Sequence, residues 1–253
     1  MKYFVVSDVH GYYSKLIKAL KEKGFDESNP GHKLIICGDI MDRGSEALKM
    51  QDYILHLMQA GKVILIKGNH EDLMLDMIKD FPNIVEDKAI VFSLHYSNRT
   101  FDTAMQLTKK SHGYANTHPE EFAALCASIP FVKNIIPACL DYFETEHYIF
   151  THGWIPTKLS YEYDPRWRHA SKERWSHARW ENGMLCWFKG ATVPNKTVVC
   201  GHYHTSWGHH FIEKSSPELG EDADFTPFVA KGIIAIDGCT AYSGQVNCIV
   251  IED

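Results

Sequence analysis

At 253 residues, 45% hydrophobic and 23% charged, the chain is long enough for one large globular domain or two small ones with a generous core. A formal net charge of −6 excludes a nucleic-acid binder that relies on bulk positive charge. No apolar stretch is long enough to span a membrane, and since Met1-Lys2 runs straight into Tyr3-Phe4-Val5-Val6, no secretory leader is expected.

The apolar runs at 4–6, 34–37 and 63–66 have no polar face, the pattern of strands buried on both sides. Helical patterns lie between them. Tyr13, Leu16, Ile17 and Leu20 share one face, closed by Gly24, and Ala47, Met50, Ile54, Leu57 and Met58 repeat the pattern up to Gly61. Leu73, Met74, Met77, Ile78 and Phe81 mark a third helix, stopped by Pro82. This βαβαβα order predicts a parallel sheet. Residues 83–144 break the alternation, with helices expected over 85–94, 101–110 and 119–127. They read as a helical insertion that covers the site within a single domain over 1–253. Further strands are expected at 147–150, 196–200, 209–212, 232–236 and 248–251, and an acidic, Pro-containing loop at 215–227. The seven cysteines are odd in number, form no CxxC pair and mostly lie in apolar runs. Buried reduced thiols in a cytoplasmic compartment are the expectation.

Five polar motifs sit beside these elements: Asp8-Val9-His10-Gly11, Gly38-Asp39-Ile40-Met41-Asp42-Arg43-Gly44, Gly68-Asn69-His70-Glu71, Thr151-His152-Gly153 and Gly201-His202-Tyr203-His204. Asp8, Asp39 and Asn69 come just past strand ends, where open α/β sheets carry their ligand sites. The motifs collect carboxylate and amide oxygens, imidazole nitrogens and a guanidinium, the groups that divalent metals and phosphates take. Asp8 and His10, two apart on one turn, suit a first ion, and Asp39 bridges to a second. Asn69, His152 and His202 complete the second ion, and His204 is available to the first, with a plain structural histidine as its open alternative.

His70 follows a ligand directly and projects toward the site without being a ligand itself. Asp42 pairs with that imidazole, fixing its tautomer and raising its pKa as a general acid requires. An N-cap ahead of the helix at 45–60 is its alternative role. Arg43 and a second arginine would grip a phosphate's free oxygens. Arg179 is the expected second, with Arg166, Arg168 and Arg174 as competitors. The tryptophans at 154, 167, 175, 180, 187 and 207 suit core packing better than a base-stacking platform, and His95, His112 and His118 read as surface.

These motifs resemble the calcineurin-like metallophosphoesterase superfamily. Within it they are similar to small bacterial and phage-type serine/threonine protein phosphatases and to symmetrical dinucleoside tetraphosphatases. The likeness continues into Ile236-Asp237-Gly238-Cys239 and Tyr242-Ser243-Gly244, so it spans nearly the whole chain outside 83–144. Asp42-Arg43-Gly44 and Asn69-His70-Glu71 have the form of the phosphoprotein-phosphatase branch. Ser7, Trp154 and His204 depart from that branch, and His204 is closer to the general superfamily pattern.

The resemblance implies an α/β (α+β) fold, a central β-sandwich flanked by helices, with two divalent ions per chain. Manganese is expected, with iron, zinc or cobalt as alternatives. It also implies Asp39 as bridge, Asp42–His70 as acid pair, and Arg43 with Arg179 as phosphate clamp. The implied reaction is attack by a metal-activated hydroxide on phosphoserine or phosphothreonine monoesters. Hydrolysis of dinucleoside tetraphosphates is the alternative, and an inactive metal-binding scaffold is a third. The partner would be a phosphorylated protein or a small phosphorylated or nucleotide substrate, with no nucleic acid and no membrane.

Overall fold

The computed structural model of the chain describes residues 1–88, 90 and 93–253. Strands β1 (Lys2–Val6), β2 (His32–Cys37) and β3 (Val63–Ile66) alternate with helices α1 (Tyr13–Glu22), α2 (Ala47–Gln59) and α3 (Asn69–Glu86), in the expected order. β2 runs parallel to both neighbours, pairing Val5 with Ile35 and Ile35 with Ile64. The C-terminal strand β9 (Ile249–Glu252) returns antiparallel to β1 and closes a four-stranded sheet, order β3-β2-β1-β9. A second sheet contains β4 (Phe143–Glu144), β5 (Tyr148–Phe150), β6 (Thr197–Cys200), β7 (Phe228–Ala230) and β8 (Ile233–Ala235), in the order β4-β5-β6-β8-β7.

Strand periodicity sorts the apolar residues into layers. Val5, Ile35, Cys37 and Ile66 on one sheet meet Phe150, Val199 and Ile236 on the other, and together they form the inter-sheet core. The alternate residues Phe4, Val6, Leu34, Ile36 and Leu65 face α1–α3 instead. On the second sheet Ile149, Val198, Cys200 and Ile233 face an outer layer that includes Trp154, Trp167 and Trp175. The result is a β-sandwich with helices on both outer faces, which leaves the strand ends of both sheets side by side. Those three tryptophans are core residues, as expected, whereas Trp180 is exposed.

Several local expectations need correction. Pro82 does not stop α3, which runs on to Glu86. The proline removes one helical hydrogen bond, but Phe81 is held between Phe101 and Phe122 at ring distances of 5.5 and 5.0 Å, so packing carries the helix through. Residues 209–212 are not a strand. His209–Glu213 is a helical turn continuing from Thr205–Gly208, with His209 bound to Glu213 and to the Thr226 carbonyl. Strands β4 and β7 are edge strands of two and three residues, too short to show alternation.

The segment 83–144 is helical: α4 (Leu94–Ser97), α5 (Thr100–Thr108), α6 (His112–Thr117), α7 (Pro119–Ser128) and, after a π-helical turn at Phe131–Ile135, α8 (Ile136–Ala138). The expected helix at 85–94 is not one element, since α3 ends at Glu86 and α4 begins at Leu94; its residues Ala89, Val91 and Phe92 lie outside those described. His95 is buried against the Phe101 ring rather than on the surface. All seven cysteines are free and five are buried. Among the described residues no single helix is long and apolar enough to cross a membrane.

Phe150 is fully buried between the sheets, so Phe150→Ala should destabilise the fold by about 3–5 kcal/mol, read by urea unfolding. A loss below about 1 kcal/mol would mean that the sheets are not packed through this ring.

Candidate metal centre

The strand ends deliver the motifs to one place. The 8–11 turn is stitched to the neighbouring loop by backbone bonds from Asp8 N–H to the Gly38 carbonyl (3.2 Å), His10 N–H to Asp39 (2.9 Å) and Gly11 N–H to Ile40 (2.8 Å). Asp8, His10, Asp39, Asp42, Arg43 and His202 all take left-handed backbone, with φ between 47° and 73°. Such strain in non-glycine residues clusters where side chains must be aimed at a site. Glu71, for which the motif reading had no role, accepts N–H bonds from Gly68 (2.7 Å), Asp39 (3.1 Å) and Ile40 (3.0 Å), and so fastens the second and third motifs together. Gly68 is required here because a Cβ would strike the Asp39 carboxylate.

Two groups of potential ligands result, His10–Asp39–His70 and Asp39–His152–His202, and they share Asp39. Its Oδ2 lies 3.7 Å from both His10 Nε2 and His70 Nε2, and its Oδ1 lies 3.3 Å from His152 Nε2. His10 and His152 give Nδ1–H to the carbonyls of Met41 (3.0 Å) and Cys37 (2.8 Å), which turns each Nε2 lone pair toward the cluster. His152 Nε2 then faces the Asn69 Oδ1 at 2.9 Å and the Asp39 Oδ1. Acceptors converging with no proton between them form an arrangement that a cation satisfies. His202 adds a buried Nδ1 with no partner among the described residues. This donor set of imidazole, carboxylate and amide oxygen fits divalent transition metals.

The electrostatics agree. Burial, Arg43 and His70 hold the His10 pKa well below its ordinary value, and burial with His152 lowers that of His202 to about 3. Both rings are therefore neutral, the form that binds metal. Burial disfavours the Asp39 charge, but the surrounding imidazoles outweigh it and keep the carboxylate well below the usual range. Burial and Asp39 push Asp8 up to about 6 against the pull of His152.

At the edge of the cluster His70 Nδ1 donates to Asp42 Oδ2 at 2.8 Å, so Nε2 is the nitrogen that faces the ligands. Burial opposes protonation of His70, but Asp39 and the Asp42 bond prevail and raise its pKa to about 9. Asp42 is not a helix cap: Glu46 occupies the N-cap position of α2. Arg43 lies across the cluster, with Nη1 2.9 Å from His10 Nε2 and Nη2 3.2 Å from His70 Nε2.

Two expected site residues lie elsewhere. Arg179 is not beside the cluster: its guanidinium is committed to Asp72 (2.9 Å) and Asp141 (2.5 Å), where it ties α3 to the chain before β4. Its competitors are also engaged, Arg168 with Glu144 and Arg174 with Asp164, while Arg166 points to solvent beside Asp164. His204 turns to Ser206 (2.8 Å) and Glu218 (3.5 Å) because the chain leaves the site into the 205–208 helical turn. Asp8, by contrast, is buried at the cluster beside Asp39 and His152, and its Oδ2 accepts from the Ser7 hydroxyl and from His202 N–H, which joins the first motif to the last. The sequence reading also missed Asn98, Thr100 and Thr103, which bond Arg43 and Asp42 from the helical segment. An i, i+3 pair of threonines on an apolar helix face was their one visible signal.

Asp39→Asn removes the negative charge and one of the two oxygens at the shared position, so the divalent metal retained after dialysis should fall. Elemental analysis of the purified protein reads this, and unchanged stoichiometry would rule out Asp39 as the shared ligand.

Comparison with known proteins places this geometry. A stretch of 78 residues is 32% identical to the asymmetrical bis(5'-nucleosyl)-tetraphosphatase PrpE of Anoxybacillus flavithermus, covering 28% of this chain and 32% of that protein. Another of 73 residues is 37% identical to serine/threonine-protein phosphatase 1 of Salmonella typhimurium, covering 29% of this chain and 31% of the other. These matches span about a third of each relative's length. The fold is similar to that of a cold-active protein-tyrosine phosphatase of Shewanella, with a TM-score of 0.53 at 16% identity over 100% of this chain and 75% of that one. The model of the calcineurin-like phosphoesterases matches residues 1–225, and the chain belongs to that family.

Proposed function

We propose that the chain is a metal-dependent phosphatase that hydrolyses phosphoserine and phosphothreonine monoesters, working as one unit over 1–253 with 83–144 inserted into it. The carrying observation is the pair of buried ligand groups that share Asp39, with the Asp42–His70 pair at their edge. Asp8, His10, Asp39, Asn69, His152 and His202 would hold two divalent ions, manganese as the favoured identity, with Asp8 also accepting the His202 N–H. Ions so held supply Lewis-acid activation of the phosphoryl group and of the attacking water.

The chain's own residues do the rest. Arg43 donates two parallel N–H groups to the free phosphoryl oxygens and neutralises their charge. His70 keeps a proton on Nε2, with Asp42 behind Nδ1. As the bond from phosphorus to the ester oxygen breaks, that proton passes to the departing alkoxide, giving an alcohol and inorganic phosphate. The free buried thiols support a reducing, cytoplasmic setting.

A second reading, hydrolysis of a dinucleoside tetraphosphate, is favoured by Trp180. Its exposed ring lies 5.8 Å from that of His202, within reach of a base on a short polyphosphate. The relatives named as tetraphosphatases support the same alternative.

Phosphate release from a phosphothreonyl peptide and cleavage of a dinucleoside tetraphosphate, each with manganese, separate the two. Turnover of the peptide alone is expected; cleavage of the nucleotide alone would move the assignment to the second reading. His70→Asn should reduce turnover of the phosphothreonyl peptide by about 10²–10⁴-fold, with a much smaller loss on p-nitrophenyl phosphate, whose leaving group needs no proton. Equal losses on both substrates would remove the general-acid role.

A further inference from the structure

We propose that residues 98–106 of the helical segment are the positioning element of the Asp42–Arg43 turn, with Thr100 acting on His70 through Asp42 and Asn98 acting on the phosphate grip through Arg43. This rests on the phosphatase reading above and adds to it the residues that aim its machinery.

The argument begins with the backbone. Asp42 (φ 73°) and Arg43 (φ 62°) are consecutive side-chain-bearing residues in the left-handed region. Such a conformation persists only where the surroundings over-determine it. The first motif holds one side of the turn, through Gly44 N–H to the His10 carbonyl at 2.8 Å, and the helical segment holds the other. Thr100 Oγ1 donates to Asp42 Oδ2 at 2.8 Å, and Thr103 Oγ1 accepts Asp42 N–H at 3.1 Å. Asn98 Oδ1 accepts from Arg43 Nη2 at 3.2 Å, and Arg99 Nη1 donates to the Arg43 carbonyl at 3.1 Å. Gln106 closes the turn, donating to the Gly44 carbonyl and accepting Ala47 N–H, both at 3.0 Å. Six hydrogen bonds from five side chains thus run between one segment and one turn.

The Thr100 bond has the most direct chemical consequence. The same Asp42 Oδ2 that takes His70 Nδ1–H takes the Thr100 hydroxyl, while Oδ1 has no partner among the described residues. The carboxylate plane is therefore set by two donors on one oxygen, and removing one frees it to rotate away from the imidazole. Thr100 and Thr103 are fully buried, so water cannot replace either hydroxyl without opening the core. Arg99, at φ 60°, reverses the chain between α4 and α5 and brings Asn98 and Thr100 to the same turn. Packing of Phe101 against Phe81 anchors the segment.

The test is steady-state kinetics of the manganese-loaded full chain on a phosphothreonyl peptide and on p-nitrophenyl phosphate, for Thr100→Val, Thr100→Ser and Asn98→Ala. Thr100→Val should lower kcat on the peptide about tenfold or more with little change in KM, lose less on the aryl ester, and be rescued by Thr100→Ser. Asn98→Ala should instead raise KM on both substrates. Equal losses on the two substrates by Thr100→Val, or no rescue by serine, would reduce the threonine to a packing residue and overturn the proposal. If melting curves show Thr100→Val unfolded, the KM of Asn98→Ala decides, and a wild-type value overturns it. Equal losses on both substrates in His70→Asn, with Thr100→Val still selective, would show that the threonine does not act through His70 and overturn the proposal. An inactive wild type fails that reading too, and the crystal structure of Thr100→Val then decides: an Asp42 carboxylate unmoved against His70 overturns the positioning role.

Discussion

A carboxylate that is 98% removed from water stays ionised only if cations or donors replace its hydration, and Asp39, at 2% exposure, is in that position. Three imidazoles approach it within 3.3–3.7 Å, and His70 N–H donates to its Oδ1 at 3.1 Å. Two of the neighbouring rings, His10 and His202, are held neutral by burial and by nearby positive charge, so the site keeps more acceptors than donors. That imbalance is what gives it an appetite for divalent ions. It also explains the carbonyls behind the rings: Met41 and Cys37 each take an Nδ1 proton and leave an Nε2 lone pair facing inward.

Holding this arrangement needs a backbone that unaided chains avoid. The left-handed residues at 8, 10, 39, 42, 43 and 202 are spread over three loops, and each loop is bonded to another rather than to solvent. Glu71 gathers three N–H groups from two of the motifs, and Asp8 receives the N–H of His202 from the far end of the chain. The sandwich makes this possible by setting the C-terminal strand ends of two sheets beside one another, so that residues nearly two hundred positions apart are neighbours. Glycine serves at the tightest points. At Gly38, with φ 81°, a Cβ would come within 2.5 Å of His152 Nδ1.

The arginines illustrate how charge is apportioned outside the centre. Arg179, buried and paired with Asp72 and Asp141, joins secondary-structure elements, and Arg168 stacks on Trp167 while gripping Glu144. Only Arg43 among the residues considered for the phosphate clamp touches the ligand cluster. Its side chain is held in turn by Asn98. The helical segment thus holds the Asp42–Arg43 turn as well as roofing the hydrophobic core that packs on α3.

The sequence by itself determined the elements whose physics is local. Continuous apolar runs marked β1, β2 and β3, helical spacing with terminal glycines marked α1 and α2, and the polar residues just past the strands marked the residues that the fold gathers into one buried cluster, Asp8, His10, Asp39, Asn69, His152 and His202. It failed where a local rule was outweighed by a distant contact. Pro82 should end a helix, yet the aromatic packing around Phe81 carries α3 past it. Residues 209–212 have strand-like composition, yet the bonds from His209 to Glu213 and Thr226 coil them. Arg179 and His204 lie in motif-like surroundings, but the direction of a side chain depends on which carboxylates the fold brings within reach. The partners of the Asp42–Arg43 turn were equally invisible, because Asn98, Thr100 and Gln106 gain their meaning only when α5 docks more than fifty residues downstream. Chemistry at a strand end is written in the residue types; the aim of each group is decided by packing, since one buried hydrogen bond is enough to turn it toward the site or away.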